Sequence, residues 1–309
     1  MIVTEGTQDL VGPVAERLRA AKIGLRAGEI ADWDREAALL VASASADDPA
    51  RGLDRLVADR VRGVPLGYLT GAETFLGDDF EVEPGVIIPH PATELLALLA
   101  VRAVDLYAGG EARPGLLEVG VGSGAVAVSV LRRRPAVDAY GSELSAAALR
   151  LTRNNAARLL RPPYTLKLYQ CYFTDELFSP FTADPPRNVQ VVVSNPPYLA
   201  DTDQLSEATR KSGLAHLSYS PDNDPSWFLR QVTADPEGYL APSCSIVMEC
   251  AEWYFTDHEK VLTEAGWQVE LFDRQKYVST FGASPDMRPM RPSGHRVLHA
   301  WRGEGRPLA

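Results

Sequence analysis

The sequence predicts an α/β fold: a doubly wound, seven-stranded and mostly parallel sheet behind a small N-terminal helical domain, with a linking β-hairpin between them. Three observations predict it. From residue 115 onward, short apolar runs alternate with stretches of helical periodicity. The first of those runs leads directly into a glycine cluster, as the first strand of an open sheet does at its switch point. Residues 1–65, by contrast, carry helical spacing only.

In chain order, Val14, Leu18 and Ala21, then Ala37, Leu40 and Val41, then Leu53, Leu56, Val57 and Val61 form apolar helical stripes. Gly28 and Ala46-Asp47-Asp48-Pro49 separate them, which gives three or four helices over 1–65. Residues 66–90 change character. Leu66–Gly71 and Thr74–Val82 read as the two arms of a hairpin linker with turn residues between them. Pro89-His90-Pro91 then introduces a helix from Thr93 to Leu106. Strands are expected at Gly115–Val119, Val137–Tyr140, Thr165–Tyr169, Val189–Ser194, Ser245–Cys250, Trp267–Phe272 and His295–Ala300. The last two are expected to pair antiparallel, with too little chain between them for a helix.

Composition narrows the function classes. The net charge of −10 and the lack of a Lys/Arg block argue against a nucleic-acid partner, and Arg132-Arg133-Arg134 reads as solvated surface. Cys171, Cys244 and Cys250 are an odd set without metal-site spacing, which fits a reducing, cytoplasmic setting. MIVTEGTQDL has no signal pattern, and no apolar stretch is long enough for a bilayer, so no membrane is expected.

Leu116-Leu117-Glu118-Val119-Gly120-Val121-Gly122-Ser123-Gly124 is a strand running into glycines at alternating positions. Gly120 permits the sharp turn, Gly122 a close backbone approach to a ligand, and Gly124 tight helix packing. The spacing is G-x-G-x-G, unlike the dinucleotide fingerprint. Glu143, about 20 residues further on, ends the next strand, where a carboxylate can accept both hydroxyls of a ribose. Loop, acid and strand together point to a nucleoside ligand. Glu118 taken alone reads equally well as a capping or surface acid.

Behind the buried run Val191-Val192-Val193-Ser194 stands Asn195-Pro196-Pro197-Tyr198. A proline pair cannot continue a strand, so the chain turns there. The turn leaves an amide, a backbone carbonyl and an aromatic ring facing one point. The Asn195 side-chain oxygen and the Pro196 carbonyl can hold the two hydrogens of a planar nitrogen and aim it, and positioning supplies much of such a barrier reduction. Tyr198 can stack on the planar group, and an aromatic face also favours a sulfonium.

This combination resembles the class I S-adenosyl-L-methionine-dependent methyltransferases over about residues 114–300, a Rossmann-like fold. The resemblance implies S-adenosyl-L-methionine as cofactor, with Glu118, Gly120, Gly122, Gly124, Glu143 and Asn195 among its binding residues. Gly63–Gly71, Phe75-Leu76-Gly77, Phe80-Glu81-Val82 and Val86–Glu94 narrow the resemblance to the HemK/PrmC family over nearly the whole chain. Its members methylate the glutamine amide of peptide-chain release factors. That implies a catalytic unit over 91–309, a release-factor-like partner, and catalytic roles for Asn195, Pro196 and Tyr198.

The chain departs from the family at the pocket wall. His90 replaces an Arg, a fixed and always charged fork, and Ala92 replaces a Glu. Leu217–Pro225 replaces a segment rich in Glu-Pro and glycine. Tyr172 replaces an acid, and Phe173 falls where the family places a ring near adenine, so both join the cofactor-site candidates. A loop from Lys276 to Gly294 replaces the usual C-terminal ending. Tyr169, Tyr172, Phe173 and Tyr198 read either as an aromatic surround for the sulfonium or as core filler. These changes leave two further acceptors open beside the protein glutamine. One is a small-molecule acceptor; the other is the donor itself, cyclised to azetidine-2-carboxylate with release of methylthioadenosine. His216, His258, His295 and His299 read as surface or satisfied core residues; of Glu249 and Glu252, which flank Cys250 at a strand end, one can point into the cleft, although a strand-end acid is more often solvated.

Overall fold

The computed structural model describes residues 9–44, 49–109, 113–171, 186–211, 213–234 and 238–309. Near the N-terminus lie α1 (Val11–Ala20), α2 (Trp33–Ser43) and α3 (Pro49–Val61). Their apolar stripes close on one another: Val14, Leu18, Leu40, Val41, Leu53 and Val57 form a separate small core. Asp32 caps α2 by accepting from the Arg35 N–H at 3.0 Å.

Leu66–Thr70 is a helix, α4, not the expected first arm of a hairpin. Gly71 in the left-handed region, φ 75°, returns its N–H to the Gly67 carbonyl at 2.8 Å and closes the turn there. The hairpin follows as β1 (Ala72–Phe75) and β2 (Asp78–Glu81). Leu76 and Gly77 both take positive φ, 47° and 83°, as a two-residue hairpin turn requires.

The large unit alternates α5 (Thr93–Tyr107), β3 (Gly115–Val119), α6 (Ala125–Arg133), β4 (Asp138–Glu143), α7 (Ala146–Leu159), β5 (Thr165–Gln170) and β6 (Val189–Ser194). After α8 (Glu207–Lys211) and α9 (Trp227–Ala234) come β7 (Leu240–Ala251), α10 (Phe255–Glu264), β8 (Gln268–Phe272), α11 (Arg274–Phe281) and β9 (His295–Arg302). The sheet order is β5-β4-β3-β6-β7-β9-β8. The strands from β5 through β7 pair in parallel, while β9 runs antiparallel to both its neighbours. The expected antiparallel end is present, yet a helix does fit before β9. The Asp273 carboxylate accepts from the Lys276 N–H at 2.7 Å, so α11 starts on the residue after the cap with no loop before it.

β3 and β6 lie side by side while their following helices cross to opposite directions, so the switch point falls between them. Leu96, Leu99, Val128 and Leu131 pack one face of the sheet; Phe228, Leu229 and Leu262 pack the other. Charged groups join the helical unit to this sheet. Glu94, fully buried, receives Arg288 Nε at 2.9 Å, the Arg288 N–H at 2.7 Å and Arg274 at 3.4 Å. Arg288 also reaches Glu73 in the hairpin at 2.5 Å, and Arg26 of the helical unit stands 3.9 Å from Glu73 and donates to the Ile88 and Pro89 carbonyls at 3.3 Å each. Among the described residues, no helix is long and apolar enough to cross a membrane.

Candidate active site

The glycine loop leaves the C-terminal end of β3 with Gly120, Gly122 and Gly124 at φ 76°, 55° and 83°, a left-handed succession that side chains resist. A Cβ on Gly120 would meet nothing within 4 Å, so this backbone borders open space. Gly124 is the opposite case. A Cβ there would stand 2.9 Å from Thr152 Cγ2, because α6 and α7 close tightly at that point. Thr152 also donates to the Gly122 carbonyl at 2.9 Å, and buried Asn155 ties the Ser123 carbonyl, at 2.9 Å, to β2.

Glu143 ends β4 beside this loop, partly exposed. Its carboxylate accepts the Gly122 N–H at 2.9 Å, Leu144 N–H at 2.8 Å and Ser145 N–H at 3.0 Å. Glu118 is buried and accepts the Ala127 N–H at 2.7 Å, fixing the first turn of α6. Burial, together with the Glu143 charge, pushes its carboxyl well above the ordinary range against the pull of that N–H. Open backbone at Gly120, left-handed glycines and an accessible strand-end carboxylate fit S-adenosylmethionine, a ligand with both a ribose and a small amino-acid part. Tyr172 and Phe173 lie outside the described residues. Tyr169 packs against the core beneath β5.

Asn195 stands exposed at the end of β6 with Pro196 buried behind it. Its Nδ2 donates to Thr93 Oγ1 at 3.2 Å, and Thr93 donates to Glu249 Oε2 at 2.8 Å. Tyr198 donates to Glu249 Oε1 at 3.3 Å, with His295 Nδ1 3.2 Å from both. Burial and then the neighbouring Glu249 charge hold the Tyr198 phenol well above its usual range, so it stays a donor. The structure decides between the two readings of Glu249: it is 2% exposed and faces the cleft, since β7 runs through the middle of the sheet. One reading is corrected: His295 is neither surface nor core but joins the reaction motif. Thr93 gave no signal of its own, being an ordinary helix-start residue.

His90, in the place of the family's Arg, tilts against His295 with ring centres 5.2 Å apart. Burial, then the positive charges of Arg26, His295, Arg288 and Arg274, hold its imidazole neutral, with Nδ1 accepting the Ala92 N–H at 3.1 Å. A cavity of about 210 Å³ opens beside this group, lined by Glu249, His295, Arg274, Gln275, Arg291 and Ser293. Among the described residues, no cluster of His, Cys, Asp or Glu can hold a metal ion.

No family model matches the chain. Curated relatives do. A release factor glutamine methyltransferase of Burkholderia pseudomallei is 35% identical over 222 residues, 70% of this chain and 74% of the relative. One from Cereibacter sphaeroides is 30% identical over 253 residues, 76% and 84% of the two chains. Among solved structures, the human methyltransferase 10 domain containing protein aligns over 81% of this chain and 96% of its own, at 12% identity and a TM-score of 0.47. With more than two thirds of its relatives' length matched at that identity, the chain belongs to the release factor glutamine methyltransferase family of S-adenosylmethionine-dependent methyltransferases.

Proposed function

We propose that this enzyme methylates the side-chain amide nitrogen of a glutamine in a release-factor-like protein in the cytoplasm. One observation carries the reading. The Asn195 Nδ2 is committed to Thr93, which turns Oδ1 away from it as the hydrogen-bond acceptor at the end of β6. An acceptor amide has two hydrogens on a planar nitrogen. Asn195 Oδ1 and the Pro196 carbonyl take one each, and the Tyr198 ring limits the plane in which the amide lies. An amide nitrogen is a poor nucleophile, so orientation is the main help these residues give. Its proton departs after transfer, and no base in the motif is needed.

Glu118, Gly120, Gly122, Gly124 and Glu143 would hold S-adenosylmethionine: the glycines by close backbone approach, Glu143 at the ribose, and Glu118 by fixing the loop through α6. When bound, it supplies an electrophilic methyl group on a sulfonium. The names of the curated relatives support the protein acceptor.

The test is to incubate the purified enzyme and donor with and without a bacterial release factor. S-adenosylhomocysteine and a methylated glutamine, found by mass spectrometry only when the factor is present, are the expected products. Methylthioadenosine from the donor alone, above its spontaneous rate, would overturn the reading in favour of donor cyclisation. Asn195→Ala is expected to lower transfer by about 100-fold or more, the usual loss when one precisely aimed hydrogen bond goes, with donor affinity in calorimetry falling far less.

A further inference from the structure

We infer that Glu249, acting through Thr93, decides which end of the Asn195 amide faces the acceptor; this deepens the function proposed above and rests on it. Three residues far apart in sequence meet here: Thr93 at the start of α5, Asn195 after β6 and Glu249 in β7. Glu249 and Thr93 are 2% and 6% exposed, so water does not replace their partners.

The argument is an inventory of protons. A threonine hydroxyl has one proton to give, and an ionised carboxylate has none. Thr93 gives its proton to Glu249 at 2.8 Å. Only lone pairs then remain on Thr93 Oγ1, so whatever approaches it from Asn195 must donate. Asn195 meets that demand with Nδ2 at 3.2 Å. The reversed amide would set Oδ1 against an oxygen with nothing to offer, and would present an NH₂ group to the acceptor. Such an NH₂ repels the very hydrogens that the carbonyl end accepts. The two ends of an asparagine amide are nearly equal in shape, so neighbours alone choose between them.

Glu249 is thereby a positioning residue and not a catalytic one. Its other oxygen takes Tyr198 at 3.3 Å, so one buried carboxylate orients both polar side chains of the motif. A glutamine in its place removes the constraint. Its own NH₂ can donate to Thr93, which frees the Thr93 proton for Asn195 and makes the reversed amide acceptable.

The test has a structural and a kinetic arm. In proton NMR of ¹⁵N-labelled enzyme, the Asn195 side-chain NH₂ is expected to show cross-peaks to the Thr93 methyl group, and Glu249→Gln is expected to weaken or abolish them. Wild-type NH₂ protons remote from Thr93 overturn the inference whatever the acceptor is. If the cross-peaks are present but no glutamine is methylated, the functional reading fails and the orientation lock stands.

In the kinetic arm, Thr93→Val is expected to lower kcat by about 10- to 100-fold, in the range of a misaimed active-site group. Thr93→Ser, which keeps the hydroxyl, recovers most of that loss. Asn195→Asp is expected to be nearly inactive, because its carboxylate faces a Thr93 with no proton to give. Adding Glu249→Gln to Asn195→Asp is expected to raise the rate about fivefold or more, since Thr93 then has a proton for Asp. A packing role for Glu249 predicts the reverse, a double variant worse than the single one, and that result overturns the inference. Should Glu249→Gln not fold, the Val and Ser variants at Thr93 and the wild-type spectrum decide the question.

Discussion

The two edges of the switch point are built differently. On the β3–β4 side, the groups proposed to hold the cofactor come from one short loop and one strand end, residues 118–124 and Glu143. What they offer is mainly backbone, held open by left-handed φ values that glycine allows. On the β6–β7 side, Asn195, Thr93, Glu249, Tyr198 and His295 come from four separate segments and meet through side-chain hydrogen bonds, with Thr93 and Glu249 buried. A backbone-built site survives change in its neighbours, because its geometry is local. A site assembled from distant side chains depends on every element that carries one. Most of the family departures belong with the second kind of site, at His90, Ala92, Leu217–Pro225 and the loop ending at Gly294, while Tyr172 is the one among the cofactor-site candidates.

The difference is sharpest at the ion cluster under α5. Glu94→Gln leaves Arg288 and Arg274 without their buried carboxylate and is expected to cost about 3–5 kcal/mol. Calorimetric melting checks it; a fall of roughly 10 °C is expected for a domain of this size. Because Thr93 precedes Glu94, methyl transfer should fall further than donor affinity. Equal losses in both would erase the distinction between the two edges.

Acid is the next probe. All five histidines lie outside residues 113–171, which form the cofactor side. His258 is fully buried against the Ser226 hydroxyl at 2.9 Å, and burial lowers its pKa from 6.5 to about 4. The unfolded chain therefore takes up this proton first. The stability is complete above pH 6.5 and is lost as pH falls toward 4, by about 3 kcal/mol at roughly 1.4 kcal/mol per pH unit. Glu118 has the opposite sign: its raised pKa lets the folded state bind a proton more readily, so falling pH favours folding there. Hydrogen exchange between pH 7 and 4.5 should loosen α10 before α6. Urea melts of His258→Gln should be flatter over that window than those of the wild type.

Two smaller effects probe the cofactor side. Gly124→Ala combines φ 83° with a 2.9 Å approach to Thr152 and is expected to cost about 2 kcal/mol in urea unfolding while weakening S-adenosylhomocysteine binding. Ser145→Ala removes the α7 cap, Ala148 N–H to Ser145 Oγ at 3.3 Å. It is expected to cost about 1 kcal/mol with donor affinity little changed, since Glu143 keeps its own bonds to the loop.

Much of the fold was legible in the sequence. Strand and helix periods placed all seven strands of the large sheet, most to within a residue or two, although β7 begins five residues earlier than expected. Local signals failed where a single turn decided the matter. At Leu66–Thr70 the apolar and β-prone residues suggested a strand, but Gly71 closes a helical turn instead. Before β9, the Asp273 cap starts α11 in a stretch that looked too short for it.

By itself the sequence determined the α/β order, the glycine loop with Glu143, and the position of Asn195-Pro196-Pro197-Tyr198 at a strand end. Each is a contiguous pattern whose physics is local: periodic burial, left-handed glycines, a proline stop. The tertiary structure alone decided that Thr93, Glu249 and His295 belong with that motif. They are isolated residues of common type, and only the β6–β7–β9 register and the start of α5 bring them within hydrogen-bond reach.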